Sequence, residues 1–405
     1  MNDMTISQAA TILGSAVEQA TGQKVITNIE TPEQFVSVAQ TALKTGYDPI
    51  INALSQIWSR SIYAVRDYTS PLTSLEMDLP RYGNALRKIS PIAAKMQDDQ
   101  RFIWPVAYDG TKATPDAKLG NGESVDMYKI SKQEVLQTNF YGTAVYQQRY
   151  TTFKDQFDVA MSSADEFMRF NAMNMTERNN DKESYREAVA RGMQANFIGA
   201  ILDEGQVSRV IHLLTEYNTE TGLSLTAQSV YQPDNFAPFM RWVYARLNVI
   251  ARFMGERSQF YQTVINNKPV LRHTRGENLR VALYSKAYEQ MRTMALSTTF
   301  HDDYLKLAKF EGINFWQSIE TPDSIAITPV YTSTTGAVKK AAKKVEQAGI
   351  FGIMHDRDAL GYCYTNTWSA TTPLNIDGGY WNTAEHATIK TIQDNTEKAV
   401  VLLLD

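Results

Sequence analysis

Residues 126–142 read DMYKISKQEVLQTNFYG, and residues 153–200 read FKDQFDVAMSSADEFMRFNAMNMTERNNDKESYREAVARGMQANFIGA. The first stretch opens a strand-like run from Val135 to Tyr150. The second changes period. Phe157, Ala160, Met161, Ala164, Phe167 and Met168 recur at i, i+3, i+4, i+7, i+10 and i+11, with Asp155, Asp158, Asp165, Glu166 and Arg169 between them. That spacing lays one wide apolar stripe along a long amphipathic helix. Asn179-Asn180-Asp181 reads as its break. A second helix then carries Tyr185, Ala188, Val189, Met193, Phe197 and Ala200 on one face.

Upstream, Arg101–Tyr108 (RFIWPVAY) reads as a strand, with Pro105 arguing for an edge or a bulge. Asp109–Glu123 is polar and holds Gly110, Pro115, Gly120 and Gly122, the composition of a loop tip. Together these predict a two-stranded excursion. A hairpin this long is marginal alone, so it should lie on another surface, of this chain or of a neighbour. Farther upstream, Ile6–Ala20 reads as a weak helix or as an arm that orders only against something else. Thr31 is placed to cap a helix beginning at Pro32 and closing at Gly46, and a further helix is predicted over Pro49–Asp67.

Downstream the text is mixed. Asp234 suits the cap of a helix over Phe236–Gly255. Leu279–Tyr284 alternates as a strand, and Ser285 then starts a helix. Ser324–Tyr331 reads as a strand and Thr335–Ala348 as a short helix with Val338, Ala341, Ala342 and Val345 inward. Strands follow at Ile350–Met354, Leu360–Thr365, Ala387–Gln393 and Lys398–Leu404. No repeat of fixed period is present.

Composition limits the function. The 405 residues suggest two or three domains. Forty Lys plus Arg against 44 Asp plus Glu leave a net charge of −4, which argues against a generic polyanion binder. A single cysteine, Cys363, excludes an internal disulfide framework and a cysteine-rich zinc cluster. The longest apolar run, Ala399–Leu404, is far short of the ~20 residues of a spanning helix. No secretory signal opens the chain, so a reducing cytoplasm is the expected starting compartment. Aromatics at 11% and 15 methionines suit a core, and suit interfaces as well.

The common catalytic constellations do not appear. There is no phosphate loop of the G-x-x-x-x-G-K-[ST] kind and no G-x-S-x-G elbow. Gly120-Asn121-Gly122 reads as a loop tip. His301-Asp302-Asp303 are adjacent residues that diverge on a helix and read as its solvated start. His355-Asp356-Arg357-Asp358 has two readings. Asp356 and Asp358 with His355 suit a Mg²⁺ site, but adjacent charges between two strands suit a turn better. His212, His273 and His386 lack partners at ligand spacing, and Cys363 sits in a strand as a structural thiol. Lys339, Lys340, Lys343 and Lys344 fall on the outer face of the predicted short helix. Arg241, Arg246, Arg252 and Arg257 follow the central helix, where they suit either inter-subunit ion pairs or phosphate.

The order of elements resembles the major capsid protein of tailed bacteriophages, the Hong Kong phage type of shell fold, and most nearly the head proteins of small short-tailed phages. The residues that carry the resemblance are Asp126–Gly142 leading into Phe153–Ala200, Leu279–Tyr288 (LRVALYSKAY), and Ala348–Tyr364 (AGIFGIMHDRDALGYCY) with the final strand. It spans the chain from about residue 80, and the first 75 residues match nothing recognisable. The resemblance implies an α+β fold. Residues 1–75 would be an N-terminal arm with helices, and 76–142 an extended β-hairpin loop. Residues 143–215 would be a peripheral domain with a spine helix, 216–384 an axial domain, and 385–405 a strand returning to the peripheral domain.

The implied function is structural: self-assembly into an icosahedral shell around double-stranded DNA, with no catalysis, no cofactor and no metal. Trp104, Tyr128, Phe140 and Tyr141 on the extended loop would contact a neighbouring subunit. The implied partners are further copies in pentamers and hexamers, a scaffold protein, a portal, and packaged DNA held by weak non-specific contact, with no membrane. The implied location is the virion capsid, after assembly in the host cytoplasm. A cellular nanocompartment shell of the same fold, or a cytosolic metal-dependent enzyme using Asp356 and Asp358, is the alternative.

Overall fold

A computed structural model describes residues 6–21, 31–44, 48–52, 54, 72–77, 85–92, 128, 134–141, 143–268, 270–290 and 309–405. The predicted strand Arg101–Tyr108, the tip Asp109–Glu123 and His301-Asp302-Asp303 lie outside the described residues.

The first two helices form where the sequence places them, α1 at Ile6–Thr21 and α2 at Pro32–Lys44. Thr31 and Gln34 make a reciprocal capping box. The Gln34 N–H donates to Thr31 Oγ1 and the Thr31 N–H to Gln34 Oε1, each at 3.4 Å. The strand-like run then divides in two. β1 (Ala85–Pro91) pairs antiparallel with β2 (Val135–Tyr141), in register from Ala85–Tyr141 to Pro91–Val135. One residue later the chain continues as β3 (Thr143–Phe153).

A short helix α3 (Lys154–Ala160) leads into α4 (Ala164–Glu204). At 41 residues, α4 is about 60 Å long. Ser163 caps it, its Oγ accepting the Glu166 N–H at 3.2 Å, and Gly205 closes it at φ 67°. The expected break at Asn179-Asn180-Asp181 does not occur; the interruption lies at Ser162-Ser163 instead. Tertiary contacts hold the polar stretch helical. Gln148 Nε2 donates to Asp181 Oδ2 at 2.8 Å, Lys182 pairs with Glu385 at 2.5 Å, and Arg178 lies 3.2 Å from the centroid of the Tyr150 ring. Local propensity is a weak prior against three such anchors.

The remaining elements are β4 (Val210–His212), α5 (Leu213–Thr221), α6 (Pro233–Gly255), β5 (Leu279–Tyr284), β6 (Lys309–Ile313), β7 (Ile325–Ile327), β8 (Val330–Thr332), β9 (Val338–Lys340), β10 (Val345–Gln347), β11 (Ile350–Asp356), β12 (Leu360–Thr371), β13 (Tyr380–Gln393) and β14 (Ala399–Leu403). The predicted helix over Thr335–Ala348 is absent. Val338 stands in a hairpin strand whose turn is closed by Ser333 N–H to Ala337 O at 2.9 Å and by Gly336 at φ 79°. Two alanines and two valines gave too weak a stripe to outweigh that turn.

The central sheet has the order β4-β14-β11-β5-β6, with β14 parallel to β4 and β5 parallel to β6. Its side chains alternate between two helices. Val281, Leu283, Met354, Val400 and Leu402 join Phe239, Val243, Leu247 and Ile250 of α6. Ala282, Ile353, Val401 and Leu403 face the other way, onto Phe197, Ile198 and Ile201 of α4. The sheet is a layer between the two helices. The N-terminal half of α4 serves a third core. Phe167, with Phe157 of α3 and Trp381 of β13, packs on Leu13 of α1 and Phe35 of α2. A second sheet, β12-β13-β3, lies beside α4. The final strand, Ala399–Leu403, sits inside the central sheet between β4 and β11.

Candidate assembly interface

The β1–β2 ribbon differs from the rest of the molecule in one respect. None of its described residues belongs to any of the three apolar cores. Ile89 and Val135 are 58% and 57% exposed, and Tyr128, on the excursion beyond, is 81% exposed. Of the residues expected to touch a neighbour, Tyr128 is therefore open to solvent. Phe140 is half-buried on β2 and pairs in register with Leu86. Tyr141 pairs in register with Ala85, where β2 runs on toward β3. Trp104 lies outside the described residues. Ile92 N–H donates to Glu134 O at 2.9 Å, just beyond the Pro91–Val135 pair.

Polar groups fasten the ribbon to the body. Lys88 Nζ bonds Asp394 Oδ2 at 2.7 Å and also bonds Glu397. Arg272 reaches Glu397 at 3.2 Å and donates to Ser90 Oγ at 2.7 Å. On the surface, Lys268 pairs with Glu134 at 2.8 Å. The acceptors for Lys88 come from a pentapeptide, Asp394-Asn395-Thr396-Glu397-Lys398, that is buried at every position although no residue in it is apolar.

Most of the pentapeptide's polar groups find partners, as burial demands, while the buried Asn395 Nδ2 has none among the described residues. Asp394 Oδ1 accepts from Thr396 N at 2.9 Å and from Thr396 Oγ1 at 2.6 Å. The Asn395 carbonyl accepts the Thr263 N–H at 3.0 Å. Lys398 Nζ donates to the Glu256 carbonyl at 2.7 Å, Ser258 Oγ at 3.0 Å and the Phe253 carbonyl at 3.3 Å, so it closes the C-terminus of α6. Next to it, fully buried Arg209 donates to Glu204 Oε2 at 3.0 Å, Thr263 Oγ1 at 2.7 Å and the Ala399 carbonyl at 3.2 Å.

Burial and charge act against each other here. Burial pulls the Lys88 ammonium down, but Asp394 and Glu397 outweigh it and leave its pKa above the ordinary value. Burial raises Asp394, yet Lys88 and Thr396 hold it below the usual carboxylate range. Glu397 is left raised, because burial outweighs the help of Lys88 and Arg272. The Lys398 ammonium is lowered by burial to about 8, with partial relief from Glu256.

The pentapeptide carries the ribbon's attachment, and the sequence reading passed over it as a connection between two strands. The signal available was its position. A polar turn entering a wholly apolar strand, Ala399–Leu403, has to be buried at its near end.

The His355–Asp358 cluster makes a turn. Asp356 Oδ1 accepts the Asp358 N–H at 2.9 Å and caps a short 3₁₀ turn. His355 is buried, and burial lowers its pKa, only partly offset by the Asp356 carbonyl 2.8 Å from Nδ1. Among the described residues no three His, Cys, Asp or Glu side chains are placed to hold a metal. Two histidines without ligand-spaced neighbours in sequence have neighbours in space. His212 meets Asp405 at 2.6 Å, and His386 stacks on Trp368 at 4.1 Å between ring centroids. Cys363 is half-buried on β12. The four lysines lie in and around β9 and not on a helix. Lys339 pairs with Asp203 at 3.1 Å and Lys344 with Glu346 at 3.0 Å. Of the α6 arginines, Arg246 pairs with Glu216 at 2.7 Å within the chain.

A spine helix between two sheets, with a ribbon leaving the body, is the shell fold of tailed-phage capsids, the Hong Kong phage type. A chain in the structure of the head fibre and inner core protein gp22 of native bacteriophage P68 superposes with a TM-score of 0.51 at 9% identity, over 85% of this chain and 86% of that one. The capsid structure of Staphylococcus phage Andhra gives 0.47 at 9% identity over 85% and 86%. The mature capsid of bacteriophage PhiM1 gives 0.43 at 8% identity over 85% and 90%. No family model matches the sequence. No curated protein matches it either.

Proposed function

We propose that the chain is the major capsid protein of a tailed phage, a structural subunit without catalytic activity that assembles into an icosahedral shell around double-stranded DNA. The observation that supports this most is the ribbon. Its described residues contribute to none of the three apolar cores that the body's described residues form, and it exposes Ile89, Val135 and Tyr128. Such a ribbon is explained if its exposed face meets another copy. Heterologous contacts repeated around axes then close a shell.

On this reading Trp104, Tyr128, Phe140 and Tyr141 meet the neighbouring subunit. The division at 1–75, 76–142, 143–215, 216–384 and 385–405 is the division of labour. The partners are other copies in pentamers and hexamers, a scaffold protein, a portal and weakly held DNA. The site of assembly is the host cytoplasm. The kinship to small short-tailed phages rests on the text at 126–142 with 153–200, at 279–288 and at 348–364 with the final strand, and belongs to the same proposal.

The test is negative-stain electron microscopy of the chain with size-exclusion chromatography, beside a deletion of Asp109–Gly122. Shells or capsomer rings from the full chain, and a folded monomer from the deletion, are the expected pair. Normal shells from the deletion would show the tip to be dispensable. A monomer from the full chain, even when a scaffold protein is supplied, would overturn the shell reading.

A further inference from the structure

We propose that Lys88, Arg272, Asp394 and Glu397 form an ionic latch that holds the β1–β2 ribbon against the body, and that opening it frees the ribbon while the body stays folded. The latch stands on geometry alone; its consequence for assembly rests on the shell reading.

Three observations carry it. First, the ribbon's described side chains lie outside all three apolar cores, so none of those cores holds it down, and Leu136 and Phe140 of β2 are only half-buried. Second, the fastenings are polar and concentrated on one leg. Lys88 and Ser90 of β1 meet Asp394, Glu397 and Arg272, whereas the β2 side offers Glu134 to Lys268 on the surface. β2 is otherwise continuous with β3, which is paired along its length with β13. The ribbon is thus anchored at the end where β2 runs on toward β3 and latched along β1.

Third, the body's half of the latch is built independently of the ribbon. Asp394 is fixed through Oδ1 to Thr396, and its N–H donates to the Ala359 carbonyl at 2.8 Å. Arg272 stays beside Glu397 at 3.2 Å and Thr396 Oγ1 at 3.4 Å. When Lys88 leaves, Glu397 keeps a cation and the loop keeps its ties. Ion pairs weaken when solvent or competing charge reaches them, unlike an apolar core, so this fastening is of a reversible kind.

The experiment places spin labels on the ribbon and the body of the full chain, with Asn139→Cys and Ala227→Cys in a Cys363→Ser background; both labelled positions are exposed. The latched protein should give one narrow distance population by pulsed dipolar spectroscopy. Lys88→Met leaves Asp394 without its cation and is the harsher variant. Lys88→Met with Asp394→Asn keeps the cluster balanced, Arg272 against Glu397, and is the decisive one. Loss of the narrow population in the double variant, with cooperative melting and circular dichroism retained, is the expected result. A narrow population unchanged in both variants would overturn the latch. Loss of cooperative melting in the double variant would overturn it too, because the cluster would then belong to the body's own stability. Assembly separates the two proposals. A freed ribbon with normal shells leaves the latch standing and sinks the ribbon's role in the shell, while a freed ribbon with absent or malformed shells supports both.

Discussion

The central sheet and the ribbon are both β-structure, and they are held in opposite ways. Every residue of β14 is buried, and its side chains alternate between α4 and α6. Along β2 the described residues alternate between exposed and half-buried, on β1 Ser90 is buried between exposed neighbours, and a cluster of charges binds the ribbon to the body. The comparison teaches that one chain separates what must never move from what is fastened reversibly. It does so by choosing apolar burial for the first and ion pairs for the second.

Substitutions in the two regions should differ most. Phe197→Ala removes a fully buried ring between α4 and the sheet, and should cost about 3–5 kcal/mol in urea unfolding. Ile89→Ser on the ribbon should change the same midpoint by less than about 0.5 kcal/mol. Equal losses would erase the distinction.

Next in size is Lys398, which belongs to the pentapeptide but serves the body. Lys398→Met strands the carbonyls of Phe253 and Glu256 and should cost about 1–3 kcal/mol. Its ammonium titrates near 8 in the fold, below the ordinary 10.5. Between those values the unfolded chain binds more protons than the native one, so this group makes stability rise with pH across that window. The Met variant should lack that rise in a series of melts from about pH 8 to about pH 10.

The latch acids should then part company on acidification. Asp394 is depressed in the fold, so its contribution is present above its unfolded value and is lost as pH falls through the folded one. Glu397 is raised, so its charged form costs stability, and that cost is relieved as pH falls through its folded value. From about pH 5 to about pH 3, Asp394→Asn should lose less stability than the parent and Glu397→Gln more. The reverse order would mean that the burial and pairing assigned to the two acids are exchanged. The smallest effect belongs to the surface fastening. Lys268→Ala, which removes the exposed pair with Glu134, should leave the melting temperature within error of the parent.

The same contrast decides what was legible in sequence. Apolar patterning showed α4's stripe, α6, β5, β11 and the final strand, because burial writes itself into residue type. The α+β shell architecture followed from their order. Ser163 and Gly205, which cap α4, were passed over by a reading that ran the stripe through 161–164, and Asn179-Asn180-Asp181 misled, because the strands beside it supply partners that no local window contains. The helix expected at Thr335–Ala348 failed for a related reason: Gly336 sits in a turn whose demand on φ outranks four small apolar residues. The ribbon's place was partly legible through Val135–Tyr141. Its partner strand, Ala85–Pro91, was not, since ALRKISP alternates without an apolar face of its own. Lys88, Arg272 and the pentapeptide were hidden entirely. A charge–charge contact between residues about three hundred positions apart leaves no period to read.

The strand order of the central sheet also has a meaning in time. β4 ends at His212, and its neighbour β14 begins at Ala399. At ~5–20 residues per second, a ribosome needs about 10–40 s to pass from one to the other. Throughout that interval β4 has no partner in this sheet, and β5, once made, waits for β11. A nascent chain therefore carries open strand edges for tens of seconds, beside other nascent chains on the same message that carry the same edges. On the shell reading proposed above, the mature work is to recognise copies of itself, and premature strand pairing on the polysome competes with folding. Slowing translation between residues 212 and 399 lengthens that competition without altering a single contact in the finished subunit.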